Sequence, residues 1–162
     1  PYDQFQSFST QTAANTYTAY AVTYDVSDYA DGITLSSGSH INVVHEGAYR
    51  FDYSIALENS TNGTTNVDIW FRKNGVDVDN SNTRFSILPR KSPSIFSYVV
   101  AVTPYIINLA AGDYIQIMWH TDDVGTTIRA LPAVPAVVGV TPAIPATPSV
   151  LLSAQFVSAQ TT

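Results

Sequence analysis

The chain has 162 residues, with 13 acidic against 7 basic side chains, a formal net charge of −6 and no cysteine. That balance argues against a nucleic-acid partner, because phosphates are repelled on average and no basic run exists beyond the pairs Arg72-Lys73 and Arg90-Lys91. Disulfides and thiolate zinc sites are excluded, and no run of eighteen apolar residues is present to cross a membrane as a helix.

The length suits one domain, 1–162, able to bury about 70% of its unfolded surface around one core. No basic-then-apolar secretory segment opens the chain, so Pro1 reads as a mature terminus left by removal of an initiator methionine, and the chain as a whole protein. In chain order, Ile41–Val43 is the first short strand. Tyr49, Phe51, Tyr53, Ile55 and Leu57 then alternate with Arg50, Asp52, Ser54, Ala56 and Glu58, the period of a strand with one buried face. After the turn residues Asn59 to Gly63 the alternation resumes at Val67, Ile69 and Phe71, and Asn74-Gly75 predicts a tight hairpin because both residues tolerate positive φ. Two strands rich in β-branched and aromatic residues, from Tyr98 to Leu109 and from Tyr114 to Trp119, flank the small-residue turn Ala110-Ala-Gly-Asp113. Val150 to Val157 reads as the last strand. No segment carries a helical period with caps, so the expectation is an all-β sandwich or jelly roll of about eight to ten strands.

Charge is sparse, at 12% of residues against roughly 25% in an average domain. After Arg129 there is none. A long uncharged tail is expected to be covered by the core or by another subunit. Within it, residues 131–148 hold five of the nine prolines and repeat a Pro-Ala-(Val/Ile)-Pro unit. Proline removes amide donors and fixes φ, which predicts an extended polyproline-like loop instead of a ladder strand. Val134, Val137, Val138, Val140 and Ile144 are too apolar for a solvated linker, so this loop is expected to pack on a neighbouring subunit or a larger assembly.

Candidate chemistry is thin. His40 and His45 flank a strand, and His120 precedes Asp122 and Asp123, a set that reads as a solvated turn in preference to a metal site. Asp77, Asp79 and Ser81 imitate the opening of a calcium loop, but Asn82 and Leu88 stand where glycine and glutamate are required. Asp25, Asp28 and Asp31 read as an exposed acidic turn. There is no Gly-x-Ser-x-Gly elbow and no phosphate-cradling Gly-x-x-x-x-Gly-Lys-Ser/Thr. Pairs of carboxylates occur, but thirteen acidic residues supply many by chance. The chain therefore reads as non-enzymatic, with no catalytic residue, cofactor or metal. The Asn-x-Thr sequons at Asn59 and Asn62 read as polar turns.

Aromatics are plentiful, with ten Tyr, seven Phe and two Trp, the residue types enriched at interfaces. Trp70 lies between inward-phase Ile69 and Phe71, so it points to the outer face, toward solvent, a subunit or a sugar. Phe156 shares the core phase of Val150, Leu152 and Ala154, and Tyr105 beside Pro104 suits core and subunit contact equally. The expected subunit or capsid interface comprises Phe51, Trp70, Tyr105, Phe156, Val134, Val137, Val138, Val140 and Ile144.

Five motifs stand in an order that resembles the tumour-necrosis-factor-like and complement-globular-head-like jelly rolls, especially those of bacteriophage virion proteins. They are Ser9-Thr-Gln-Thr12, Gly47-Ala-Tyr-Arg-Phe51, Val67-Asp-Ile-Trp-Phe-Arg-Lys-Asn-Gly75, Asn108-Leu-Ala-Ala-Gly-Asp113 with Met118-Trp119, and Pro148-Ser-Val-Leu-Leu152. The resemblance implies a ten-strand jelly roll forming a homotrimer, with one sheet of each subunit packed across the three-fold axis through aromatic and aliphatic side chains. It implies a virion-surface role without enzymatic activity, at the capsid or tail. The leading expectation is a capsid decoration (cement) protein bound to the major capsid protein. The rival is a fibre-tip or tail module recognising a host surface glycan through Trp70, Tyr24 and Tyr29. The 131–148 tract is longer than the usual connection before the last strand of such folds.

Overall fold

The structure is a computed structural model and describes residues 1–159. In chain order its first strands are β1 (Tyr2–Ser7), β2 (Gln11–Thr12), β3 (Tyr20–Ala21), β4 (Val26–Ser27), β5 (Ile33–Ser36), β6 (His40–Val43) and β7 (Gly47–Asn59). There follow β8 (Thr65–Lys73), β9 (Val76–Asp77), β10 (Thr83–Ile87), β11 (Ser97–Leu109), β12 (Tyr114–Thr121), β13 (Thr126–Ile128) and β14 (Val150–Ser158). No helix occurs among the described residues.

The strands form two seven-stranded antiparallel sheets. In the first, β7 is central, with β11 along one edge and β14 followed by β13 along the other; β14 continues to β1 and β4, and β13 to β2. The second runs β10–β8–β12–β6–β5, with β9 beside β8 and β3 beside β12.

The alternation read from the sequence sets the faces. Tyr49, Phe51, Tyr53, Ile55 and Leu57 of β7 and Val67, Ile69 and Phe71 of β8 are all buried. The sheets meet through them: the Phe71 ring lies 6.1 Å from Phe51, 6.0 Å from Tyr53 and 4.7 Å from Tyr105, the last pair nearly parallel. Each buried aromatic removes about 150–250 Å² from water, which makes this cluster the main adhesive between the sheets. The β8–β9 hairpin turns at Asn74 (φ 48°) and Gly75 (φ 81°), the two left-handed residues a two-residue hairpin requires.

Fourteen strand segments replace the eight to ten expected. The surplus is largely two-residue pairings, β2, β3, β4 and β9, too short to leave a period in sequence. β1 and β10 also escaped the sequence reading: Tyr2–Ser7 mixes polar residues into both phases, and the alternation of Thr83–Ile87 is only five residues long.

Candidate interaction surface

The two outer faces differ in chemistry. On β8 and its neighbours most outward side chains are polar and several are ion-paired, with Trp70 and Val76 as apolar exceptions. Arg84 makes a two-pronged contact with Asp68 at 2.8 and 3.0 Å, and these hydrogen bonds, against opposing burial, hold the Asp68 carboxyl below its ordinary value. Asp77 accepts from Arg72 Nε at 2.7 Å and from Trp70 Nε1 at 2.8 Å, and is depressed in the same way. Trp70 therefore does lie on the outer face, its indole fixed by the hairpin carboxylate.

The outer face of the first sheet carries a row of exposed apolar side chains along β11: Tyr98 (54% exposed), Val100, Val102 and Ile106 (60% each), with Pro104 among them. β11 pairs with β7 through all thirteen of its residues, and no strand among the described residues pairs with its other edge. Pro104 interrupts the donor row of this edge strand, a device that discourages strand addition. The face, more than the edge, is what β11 offers. Beside it β7 presents Ala56, Ser54, Asp52 and Arg50, and β14 presents Leu151, Ser153 and Gln155 in register with the last three.

The three charges on these strands, all on β7, are paired, Glu58 with a residue from beyond β13. Arg50 Nε binds Asp52 Oδ2 at 2.8 Å, and Arg129 Nε lies 3.8 Å from the buried Glu58 carboxylate. That carboxylate, followed by burial, pushes the Tyr98 hydroxyl above its ordinary value.

Residues 131–147 form a two-stranded ribbon. Leu131 and Thr147, Val134 and Ile144, and Val137 and Thr141 each exchange a pair of backbone hydrogen bonds of 2.9–3.0 Å. The period is three, set by the triplets Leu-Pro-Ala, Val-Pro-Ala, Thr-Pro-Ala and Ile-Pro-Ala: the residue before each proline pairs, and the proline has no donor to offer. Gly139 (φ 73°) takes the left-handed position at the tip. The sequence expectation of an extended, polyproline-like tract fits each limb, but the tract pairs with itself where no pairing was expected. Its covering was also expected, whereas in the single chain it projects into solvent. Val134, Val137, Val140 and Ile144 are exposed, and Val138 fully so.

The neck of this ribbon has a particular geometry. β13 pairs with β7 up to Ile128 opposite Leu57, and β14 resumes at Val150 opposite Ile55. Between them Ala56 binds two residues: Arg129 N–H donates to the Ala56 carbonyl at 2.8 Å, and the Ala56 N–H donates to the Ser149 carbonyl at 2.9 Å. Ser149 is completely buried, with its hydroxyl on the Ser9 and Ser7 carbonyls at 2.7 and 3.1 Å.

The expected interface residues thus divide. Trp70 and the ribbon residues are on the surface. Phe51 is fully enclosed between the sheets, so it packs the core and has no surface to offer a partner. Tyr105 stacks on Phe71 from the core side of β11, and Phe156 packs edge-on against Tyr49, 5.5 Å between centroids; both are half-buried. Tyr24, named above as a sugar contact, is a correction: it is buried against Phe5, its hydroxyl has no hydrogen-bond partner, and desolvation raises its pKa far above the ordinary value. Tyr29 is exposed beside Tyr2.

The polar groups singled out in sequence have local partners. His120 Nε2 lies 2.8 Å from the Thr16 carbonyl, Asp122 binds Asn66, and Asp123 accepts from the Gly125 N–H, so the three do not converge. His40 stacks on Tyr114 at 4.1 Å. Asp25 caps Ser7 and Phe8, and Asp28 accepts from the Gln4 and Gln6 amides. Among the described residues no three His, Cys, Asp or Glu side chains group as a metal site would require. Asn59 is buried, its amide spent on the Gly63 and Leu88 carbonyls, which leaves no nitrogen for a glycan.

The residues that sequence reasoning missed are Tyr98, Val100, Val102 and Ile106. Their alternation is visible in the sequence, but the opposite phase of the same strand, Val99, Ala101, Tyr105 and Ile107, is equally apolar. The chain matches no family model and no curated protein in sequence.

Proposed function

We propose that this chain is a non-enzymatic structural component of a virus particle, a bacteriophage capsid decoration protein acting as a jelly-roll homotrimer. The strand order β11–β7–β14–β1 facing β10–β8–β12–β6 supports the jelly-roll reading. The observation that carries the trimer is the contrast between the outer faces: one rich in ion pairs, the other apolar along β11, with no charged residue on β11 or β14 and the charges of β7 paired as Arg50–Asp52 and as Glu58 with Arg129. Apolar rows of this kind mark association surfaces, so in this reading the β11 face meets the three-fold axis. The trimer then binds the major capsid protein where shell subunits meet, and the free energy of those contacts disfavours expansion or rupture of the shell. Quantitative mass spectrometry of purified particles tests this. Copy number comparable to the major capsid protein is the expected result, and absence from the particle overturns it.

A second reading, a fibre-tip or tail module for a host surface glycan, draws on Trp70, which is partly exposed on the polar face beside Asp77 and Arg72. A few copies per particle, with glycan-array binding lost in Trp70→Ala, would favour it.

A further inference from the structure

We infer that residues 130–149 are an arm inserted into one continuous strand, and that its partner is a second copy of this chain, on which it extends the contact made by β11. The inference rests on the homotrimer reading and assigns the arm a place within it.

The insertion follows from the ladder. Along β7 the partners run Ile128 at Leu57, then Arg129 and Ser149 together at Ala56, then Val150 at Ile55. Arg129 supplies the donor and Ser149 the acceptor that one residue would supply in an unbroken antiparallel pair. Side-chain phase is also preserved, with Ile128 and Val150 both buried. Joining residue 129 to residue 150 would therefore leave both register and phase intact. The arm adds nothing to the core cluster, and ordering its backbone costs about 1–2 kcal/mol per residue. A contact outside the single chain is the compensation its apolar residues fit.

Three observations select a second copy as that contact. The neck stands in the same cross-strand row as Val100 and Ala56, so anything that covers the β11 face also meets the base of the arm. Charge is the second. No charged residue follows Arg129, and β11 and β14 carry none, whereas the chain as a whole is at −6. The net repulsion between two copies is least where these neutral surfaces meet, and a basic or acidic partner would find nothing on the arm to select it. Third, hydrogen-bonding needs match. The Ala133, Ala136, Ala143 and Ala146 N–H groups have no partner among the described residues, and the first-sheet face offers the neutral acceptors Ser54, Ser153, Gln155 and Gln4.

Size agrees with this assignment. A face three strands wide and thirteen residues long covers on the order of 600 Å². A ribbon limb of six residue steps spans about 19 Å and adds on the order of 200 Å². Together they approach the roughly 800 Å² per partner of a stable interface.

The test uses the full chain, the variant lacking residues 130–149, and Val138→Cys, the sole thiol in a chain without cysteine. Analytical ultracentrifugation should find the full chain oligomeric and the excised variant folded, with its dissociation constant raised at least tenfold. In the oligomer, the Val138→Cys thiol should react with a maleimide at least tenfold more slowly than in the unfolded chain. An unchanged dissociation constant, or labelling of an intact oligomer at the unfolded rate, overturns the arm assignment and leaves the trimer standing. A full chain that is monomeric at every concentration overturns the trimer itself and the second-copy partner with it. Should excision prevent folding, the fully exposed Val138→Cys site decides alone.

Discussion

Arg129 and Ser149 share one rung of the β7 ladder, Arg129 donating to the Ala56 carbonyl and Ser149 accepting from the Ala56 N–H. All the chain between them leaves the sheet and returns to the same place. Excision of residues 130–149 should consequently preserve the fold. The cost is the neck: the Ser149 hydroxyl bonds to Ser7 and Ser9, and the Ala130 N–H bond to the Thr10 hydroxyl. A loss of about 2–4 kcal/mol is expected from these, read by urea unfolding, with a far-ultraviolet spectrum that stays β-rich.

Val102→Asp tests the β11 face. Val102 is exposed in the single chain, so the monomer should unfold within about 0.5 kcal/mol of the parent. An aspartate buried against another copy would lack a partner, so sedimentation should record a dissociation constant raised about a hundredfold or more. An unaltered oligomer would move the contact to another surface.

Gly47→Ala should destabilise the fold with no change in surface chemistry. A methyl group there would overlap the Phe156 ring and come within 2.6 Å of the Ser158 carbonyl, beside the irregular end of β14. The ring can swing but the backbone cannot, so a loss of about 1–3 kcal/mol is expected in denaturant unfolding.

Acid should weaken the protein through Asp68, Asp77 and Asp113. Burial opposes ionisation of Asp113, but Lys73, Asn74 and the Ala110 N–H outweigh it and hold its pKa below 3.8; Arg84 and Arg72 do the same for Asp68 and Asp77. Each depressed carboxyl contributes stability that is complete above its unfolded pKa and is lost as pH falls through the folded value. The melting temperature should therefore drop below about pH 4. Asp113→Asn, which removes the Lys73 pair, should start lower and show a shallower acid slope. An identical slope would place the acid sensitivity elsewhere.

Trp70→Ala tests which sheet makes the subunit contact. The Arg72–Asp77 pair survives it, so the fold should lose only about 1–2 kcal/mol and the oligomer nothing. Loss of assembly on this substitution would put the second sheet, not the first, at the contact.

Much of the architecture is legible in the order of residues alone. The alternation from Tyr49 to Leu57 and from Val67 to Phe71 names the buried face of two strands, because a period of two has only one way to bury a face. Asn74-Gly75 names its hairpin for the equally local reason that few residues accept positive φ twice in succession. Composition alone located the proline-rich tract and the end of charge at Arg129. These are properties of neighbours in the chain, and local physics is enough to read them.

The candidate surface was not legible in this way. Both phases of Tyr98–Leu109 are apolar, so only the second sheet, packed under the first, decided that Tyr105 stacks on Phe71 of β8 while Val100, Val102 and Ile106 face outward. Phe51 looked as able as Trp70 to reach a partner until the second sheet closed over it. The single rung shared by Arg129 and Ser149 at Ala56, and the contact of the Ser149 hydroxyl with Ser7 and Ser9, join residues far apart in the chain. Which residues share a rung depends on which strands find each other. That is settled by burial across the whole sandwich, and no window along the sequence contains it.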